Sequence, residues 1–571
     1  MKNRLLSLVL ALVLVLSCVF VMASCGTTPP DDTTKPGNTP PPDIGGGKDE
    51  GDYPWNKTTL IFQMSENSNG NELTSGTKRY LAGETNDNED IDKSVDERNA
   101  LAEKKTEVAV TYTYWPDDTE HRWGKNIDLI YTAVNTNASS SADMYSVFVY
   151  DMVGAMLKGC FANAITTTRG NNYFRFTESD YNGTVDDEGY MYEYMTSLTL
   201  SSKKMYLIAS DYFTDLVRAY FVVPVNIKLL TENAVNVTGD ADGDTNAGTY
   251  ADLIWLVENR QWNYELLKAY CDEVVTENES GAVDLDGIVG FAVSSTSGLS
   301  SSGLLYTTPI TIINRLGTSL TDYQYSYPET NAQLTDFCVK LDSLMKSEGA
   351  IAFGMGTALE SLDTIRQAFA NNHVLFGGVI CVGSLEDEVY QKMRGAGGFG
   401  VVPVPLYSDT YTDKDGATQN TPYLTQIHNL GRIGGIAANT TKFSQCSAFL
   451  NYVSTNSTEI LDEYYEWKLS VGAAGGTVAA GANEKMLKMI RTNVRSAFDK
   501  VFEDALGIYG SFSNDLYHKI IQNGKAGSSS TAATAPYQIG ENMTGIYESL
   551  YSSRAQYLAA LVRDFEQNYK D

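Results

Sequence analysis

The run Ala219–Val225, reading AYFVVPV, is too apolar to leave either side in water. A strand without polar alternation is buried on both faces, as in a sheet covered by helices. It passes directly into Asn226-Ile227-Lys228-Leu229-Leu230, then through a polar loop to YADLIWLVENRQW. A new helical pattern opens at Trp262-Asn263, so the stretch 219–262 reads as the chain leaving one lobe and starting another. A second apolar run, Phe399-Gly400-Val401-Val402-Pro403-Val404-Pro405, is placed to carry it back. Two lobes joined by such crossings, with a cleft between them, are the expected arrangement.

The start of the chain supplies an address. Lys2 and Arg4 precede an apolar run, Leu5–Val21, which ends at Met22-Ala23-Ser24-Cys25-Gly26. A charged start, an apolar middle and small residues before a cut make a secretory signal. A cysteine directly after the cut resembles the lipobox of bacterial lipoproteins, in which Cys25 would carry the lipid. The apolar run, about 17 residues, is at the lower edge of what spans a bilayer. Residues 25–52 follow, with Pro29, Pro30, Pro36, Pro40, Pro41 and Pro42 and a single aliphatic side chain, Ile44. Such a segment cannot bury enough apolar surface to offset its ordering entropy, so it reads as a tether between positions 1–24 and a folded part starting near Tyr53.

A formal charge of −29 excludes a phosphate-binding surface of the kind nucleic acids need. It also disfavours lying on an anionic membrane, so membrane contact is expected only through the anchor. Cys160, Cys271, Cys338 and Cys446 each sit among apolar residues at helical spacing, where cysteine acts as a small hydrophobe. There is no CxxC pair.

Strands are expected at Thr59–Met64, Val108–Trp115 and Met144–Tyr150. Helices are expected between and after them, one opening on the capping-box pattern Ser94-Val95-Asp96-Glu97. Strand–helix alternation predicts a parallel sheet covered by helices. Ligands of such sheets bind at the carboxyl ends of the strands. Trp115 and Tyr150-Asp151 fall at two such ends, and Asp211-Tyr212 follows a further strand at Met205–Ala209. Asn263 is suited to cap the helix after Trp262. The second lobe repeats this grammar through strands near 290–294, 374–379 and 399–404 and helices near 331–346, 362–370 and 385–394. Helices near 443–453, 457–468, 484–504 and 543–568 are expected to pack around both lobes. The domain reading is 53–225 for the first lobe and 226–405 for the second, each completed by parts of 406–571.

Several short stretches, in order along the chain, resemble the extracellular solute-binding proteins of family 1. These are Asp96-Glu97-Arg98-Asn99 with Val108-Ala109-Val110, Val225–Leu230, Leu256–Asn263, Asp284–Phe291, Phe399–Pro405 and Glu484–Leu487. The resemblance implies an α/β, two-lobed type II periplasmic-binding-protein fold with additional C-terminal helices. It also implies a lipid-anchored receptor that hands a solute, most often a carbohydrate, to the permease of an ABC importer, with no cofactor. The paired tryptophans that the group often carries are replaced here by Tyr190–Met195.

The expected ligand contacts are Trp115, Tyr150, Asp151, Asp211, Tyr212, Trp262 and His428, aromatic faces for stacking and carboxylates for hydroxyl groups. Trp262 also suits a hydrophobic staple and Arg366 a salt bridge. Gly395–Gly400 fits GxGxxG by letter, but a helix precedes it and a strand follows, the reverse of a dinucleotide site. Asp240, Asp242 and Asp244 have the alternation of a calcium loop without its turn glycine or terminal glutamate; a solvated acidic loop is expected, as at Asp284/Asp286. His121, His373, His428 and His518 lie far apart, and no metal site is expected. A surface hydrolase or lyase acting on glycans, with two facing carboxylates, and an importer-independent glycan-capture protein are the alternatives.

Overall fold

The computed structural model describes residues 53–65, 78–83, 90–116, 124–136, 141–165, 169–174, 189–198, 204–294, 303–310, 314–316, 324–326, 332–354, 358–393, 398–413, 415–428, 431–465 and 477–494. The signal, Cys25, the tether and the helix expected at 543–568 lie outside these residues.

The first lobe is built on strands β1 (Thr58–Ser65), β2 (Val108–Trp115) and β3 (Met144–Phe148), between which run helices α1 (Asp90–Thr106) and α2 (Asn126–Asn135). β1 pairs in parallel with both β2 and β3. Helix α1 starts a turn before the expected cap at Ser94. The reason is visible in its inner face: Ile91 and Val95 are both fully buried, four residues apart on one side of a helix, so the helix must begin early enough to bury Ile91. Strand β3 is likewise shorter than expected. Helix α3 (Val149–Leu157) opens directly after Phe148 and takes Tyr150-Asp151 into its first turn.

The chain then changes lobe. After α4 (Tyr192–Ser197) and the short helix α5 (Thr214–Arg218) comes β4 (Phe221–Asn226), every residue of which is buried. The domain boundary expected at 225/226 falls too late, because β4 already pairs with strands of the second sheet. Asn226 ends the strand and caps α6 (Ile227–Asn233), its side-chain oxygen accepting from the Leu229 N–H at 3.0 Å. A loop and α7 (Val235–Thr238) lead to α8 (Tyr250–Glu258), capped by Thr249 and Asp252 in a reciprocal box. Helix α9 (Tyr264–Val274) is capped as expected by Asn263, which accepts from the Leu266 N–H.

The second sheet adds β5 (Val289–Ser294), β8 (Ala350–Phe353), β9 (Val374–Phe376), β10 (Ile380–Cys381) and β11 (Phe399–Val402), with two small hairpins, β6/β7 (Asn314–Leu316, Gln324–Ser326) and β12/β13 (Thr410–Thr412, Thr418–Asn420). Helices α10 (Ala332–Met345), α11 (Ala358–Ala370) and α12 (Glu388–Lys392) belong to this lobe. β5 runs parallel to β8 and β9, while β4 is antiparallel to β9, β10 and β11. Helix α9 packs closely on β5, since a Cβ at Gly290 would meet the Cys271 Cα at 2.4 Å.

The run 399–405 is thus a strand of the second sheet, and the return crossing comes later, into β14 (Arg432–Ile436), which pairs antiparallel with β3. Helices α13 (Phe443–Thr455), α14 (Thr458–Glu463) and α15 (Thr477–Thr492) follow. The two crossings run side by side. Tyr220 bridges Ile427 and the His428 N–H donates to the Ala219 carbonyl at 2.9 Å, while Ile208 bridges Gly434 of β14 within the first lobe. β4 begins beside Cys381 at the end of β10, and β14 begins beside Phe148 at the end of β3. Both crossings therefore join the carboxyl edges of the two sheets. This is the two-lobed α/β arrangement expected from the sequence, four strands in one sheet and six in the other. The free cysteines at 160, 271, 338, 381 and 446 are all buried.

Candidate functional site

On the first sheet's carboxyl edge, the end of β2 presents Trp115, half-buried, its ring tilted over Tyr145 with centroids 6.1 Å apart. The first turn of α3 presents Tyr150, half-buried, and Asp151, fully buried. One Asp151 oxygen accepts from the Gly124 N–H at 2.7 Å and the other from the Asn126 side-chain amide at 3.0 Å. Both neutral donors favour the carboxylate, and no cation among the described residues pairs with it. Burial outweighs them and pushes the Asp151 carboxyl up to about 7, the signature of a charge taken out of water without a counter-charge. The Asn126 side-chain oxygen is buried beside it with no hydrogen-bond partner among the described residues. Asp151 has no exposed surface, so at this edge Trp115 and Tyr150 are the side chains within reach of a ligand and Asp151 is a buried carboxyl next to them.

The second sheet's carboxyl edge carries a small depression, a cavity of about 10 Å³, bounded by Ser294, Ile365, Arg366, Gly377, Gly378 and Tyr390. The Gly377–Gly378 turn lies against β5: Gly378 has φ +77°, and a Cβ there would stand 2.5 Å from the Ala292 carbonyl oxygen. Only glycine meets both conditions. Arg366 is anchored by Asp363 at 2.8 Å and Asp387 at 3.3 Å, the salt-bridged role expected for it. The wall as a whole was not legible beforehand; the paired glycines just past the apolar triplet Val374–Phe376 were its one available signal.

The remaining expected contacts are near the crossings, and three of them are interior. Trp262 has no exposed surface, donates its indole N–H to the Pro403 carbonyl at 2.8 Å and packs on Phe376 with centroids 5.0 Å apart. It is a core side chain that fastens the α9 entry to the segment after β11, not a stacking platform. Tyr212 is fully buried, its hydroxyl 2.9 Å from that of Tyr112 and its ring 4.7 Å from the Arg98 guanidinium carbon. Asp211 is fully buried too. It pairs with Arg491 of α15 and accepts from Thr458 at 2.8 Å; burial pushes its carboxyl up while Arg491 opposes this. His428 is half-buried, its ring edge-on to Phe221 at 5.9 Å. Trp115, Tyr150 and Asp151 thus share one carboxyl edge, His428 stands at the crossing, and Asp211, Tyr212 and Trp262 are packed inside.

The Asp240, Asp242 and Asp244 carboxylates are exposed and lie within reach of a common ion. All three cap backbone N–H groups of their own loop, Asp240 that of Thr245, Asp242 that of Asp244 and Asp244 that of Asn246.

No protein-family model and no curated protein matches this chain. Solved structures do. The sugar-binding protein MalE from Xanthomonas citri aligns over 89% of this chain and 99% of its own, with 11% identity and a TM-score of 0.48. A family 1 extracellular solute-binding protein from Bifidobacterium longum subsp. infantis aligns over 88% and 100%, with 12% identity and a TM-score of 0.46. The likeness is to solute-binding proteins. A third, the galacto-N-biose-/lacto-N-biose I-binding protein of an ABC transporter from Bifidobacterium longum, covers 89% and 97% at 10% identity and a TM-score of 0.44.

Proposed function

We propose that this chain is a receptor, anchored on the outer face of the cell membrane through Cys25, that captures a carbohydrate between its two lobes for an ABC-type importer. The observation that carries the reading is the paired crossing, Tyr220 beside Ile427 and the His428 N–H on the Ala219 carbonyl, which joins the carboxyl edges of two helix-covered sheets. Ligands of such sheets bind at those edges, and lobes that both touch a ligand are drawn together by it. One edge offers the half-buried Trp115 and Tyr150 next to the buried Asp151, the other the small depression beside Arg366. His428 stands at the crossing, against Phe221. The function needs binding and closure, not chemistry, and no cofactor.

The test is thermal unfolding of a soluble form beginning at Gly26, against malto-oligosaccharides, lacto-N-biose, acarbose and short peptides. A ligand at 100 times its Kd stabilises the fold by about 2.7 kcal/mol and moves the midpoint by a few degrees. The expected result is a shift with one sugar, recovered chemically unchanged. Product formation would make the protein a glycan-processing enzyme instead, and a shift with peptides alone would overturn the carbohydrate reading.

A further inference from the structure

The two lobes are tied across the crossings by charges placed far apart in sequence. Asp215 and Arg218 stand on α5, inside the first crossing. Arg218 sends Nη1 to Asp215 at 2.7 Å, and Arg432, the first residue of β14, sends its own Nη1 to the other Asp215 oxygen at 2.6 Å. These partners belong to the crossings themselves. The remaining one does not. Glu386 closes a 3-10 turn, Val382–Glu386, that leaves β10 of the second sheet. It receives Arg218 Nε at 2.6 Å and Nη2 at 3.2 Å, a two-pronged contact. The Tyr464 hydroxyl, just beyond α14, donates to the same carboxylate at 2.7 Å. The Arg218 guanidinium carbon stands 5.4 Å from the centre of the Tyr80 ring, which meets Tyr464 edge-on. Tyr80 and α14 pack with α1 of the first lobe.

Glu386 is thus a second-lobe carboxylate clasped by a crossing arginine and a first-lobe tyrosine. Two of the cations and two of the carboxylates balance, so the cluster is neutral, and Arg218 is almost wholly out of water. A buried charge left without its partner is strongly unfavourable, and a fork-on-fork contact tolerates little change in angle. The position next to the pivot gives leverage, because a displacement that just breaks the fork there is amplified at the far lips of the lobes. Asp387, the next residue, bonds Arg366 on the wall of the depression. The clasp and the depression therefore share one turn of backbone.

We propose that Glu386, held by Arg218 and Tyr464, is the positioning residue that sets the resting angle between the lobes and so the fraction of receptor that is closed before solute arrives. The purpose rests on the receptor reading, whereas the geometry and its test do not need a ligand. Leu101 on α1 and Val339 on α10 are exposed, at 47% and 50%, one on each lobe. Spin labels on Leu101→Cys and Val339→Cys, with the buried thiols left in place, report the interlobe distance of the ligand-free protein. In the parent a single narrow distribution is expected. Glu386→Gln and Glu386→Ala should move or split it, raising the displaced population at least tenfold, the equivalent of about 1.4 kcal/mol. Tyr464→Phe, which keeps the ion pair, should do so less. A lowered melting temperature with the distance distribution unchanged in Glu386→Gln and Tyr464→Phe would overturn the proposal and leave the cluster a packing feature. Should Glu386→Ala fail to fold, those two variants decide the matter. Sugar binding that fails while the distances shift would refute the receptor reading and spare the clasp.

Discussion

Replacing Asp151 by asparagine isolates the energetic cost of the buried carboxyl. The folded protein holds the Asp151 proton up to a pH of about 7, against an ordinary value of 3.8. Each tenfold difference in proton affinity is worth about 1.36 kcal/mol, so folding gains roughly 4 kcal/mol when the group is protonated and forfeits it when the group must ionise. The sign follows from proton counting. Between the two values the folded state binds more protons than the unfolded one, so stability falls as pH rises, by about 1.4 kcal/mol per pH unit. The contribution is present in full below pH 4 and is gone above about pH 7. Asp151→Asn removes this titration while preserving shape. Its oxygen still accepts from the Gly124 N–H, and Asn126, whose side-chain oxygen has no hydrogen-bond partner among the described residues, can turn its amide to receive the new N–H.

Urea unfolding of parent and variant from pH 4.5 to pH 8 supplies the assay, read as the difference between the two so that all other titrations cancel. The variant should gain on the parent by roughly 3 kcal/mol across that range and stay level beyond it. A difference that is flat with pH would refute the argument, since it would mean that the carboxyl titrates alike in the folded and unfolded chain. A difference running the other way would require a cation beside Asp151 and would recast that edge as an ion-paired one.

Other consequences can be checked with less effort. Trp262→Ala should lower stability by about 3–5 kcal/mol in chemical denaturation, and Trp262→Phe by less, chiefly through the Pro403 carbonyl left unpaired; solute affinity measured on folded protein should change little in either. Gly290→Ala forces a methyl group towards the Cys271 backbone and should cost about 1–3 kcal/mol as an overpacked contact, seen as a lower urea midpoint. The five buried thiols should react with a thiol reagent only as fast as the protein opens. Rapid labelling of Cys160, Cys271, Cys338, Cys381 or Cys446 in native buffer would contradict their burial.

Much of the scaffold could be read from the chain because local rules sufficed for it. The apolar runs at 221–226 and 399–402 are strands buried on both faces, the alternating stretch 108–115 is a strand too, and Asn263 caps because the short amide reaches its own helix. Errors arose where a distant partner overruled a local signal. Ser94 has the right letters for a cap, yet Ile91 needs the core and extends the helix past it. Trp262 has the chemistry of a sugar platform, but Phe376 and the Pro403 carbonyl, more than a hundred residues away, draw it inside. Asp211 and Tyr212 follow a strand-like segment that bridges β14 at Gly434 and still end beneath Arg491 and Arg98.

The same physics explains why the candidate site was only half legible. Tyr150 and Asp151 could be found since one strand end places them. Asp151 gained its unusual proton affinity from burial, which outweighs the opposing hydrogen bonds of Gly124 and Asn126, and no spacing rule announces how deeply the fold buries it. The hinge cluster is the extreme case. Arg218, Glu386, Arg432 and Tyr464 share no sequence neighbourhood, and in a chain with this many acidic residues any one glutamate is anonymous until the fold picks it out. What picks out Glu386 is the turn after β10, which brings it to a guanidinium already held on its other side by Asp215. Two lobes can be described from their own sequences one at a time. The contact that governs their movement belongs to neither, which is why it became visible only once both sheets were placed.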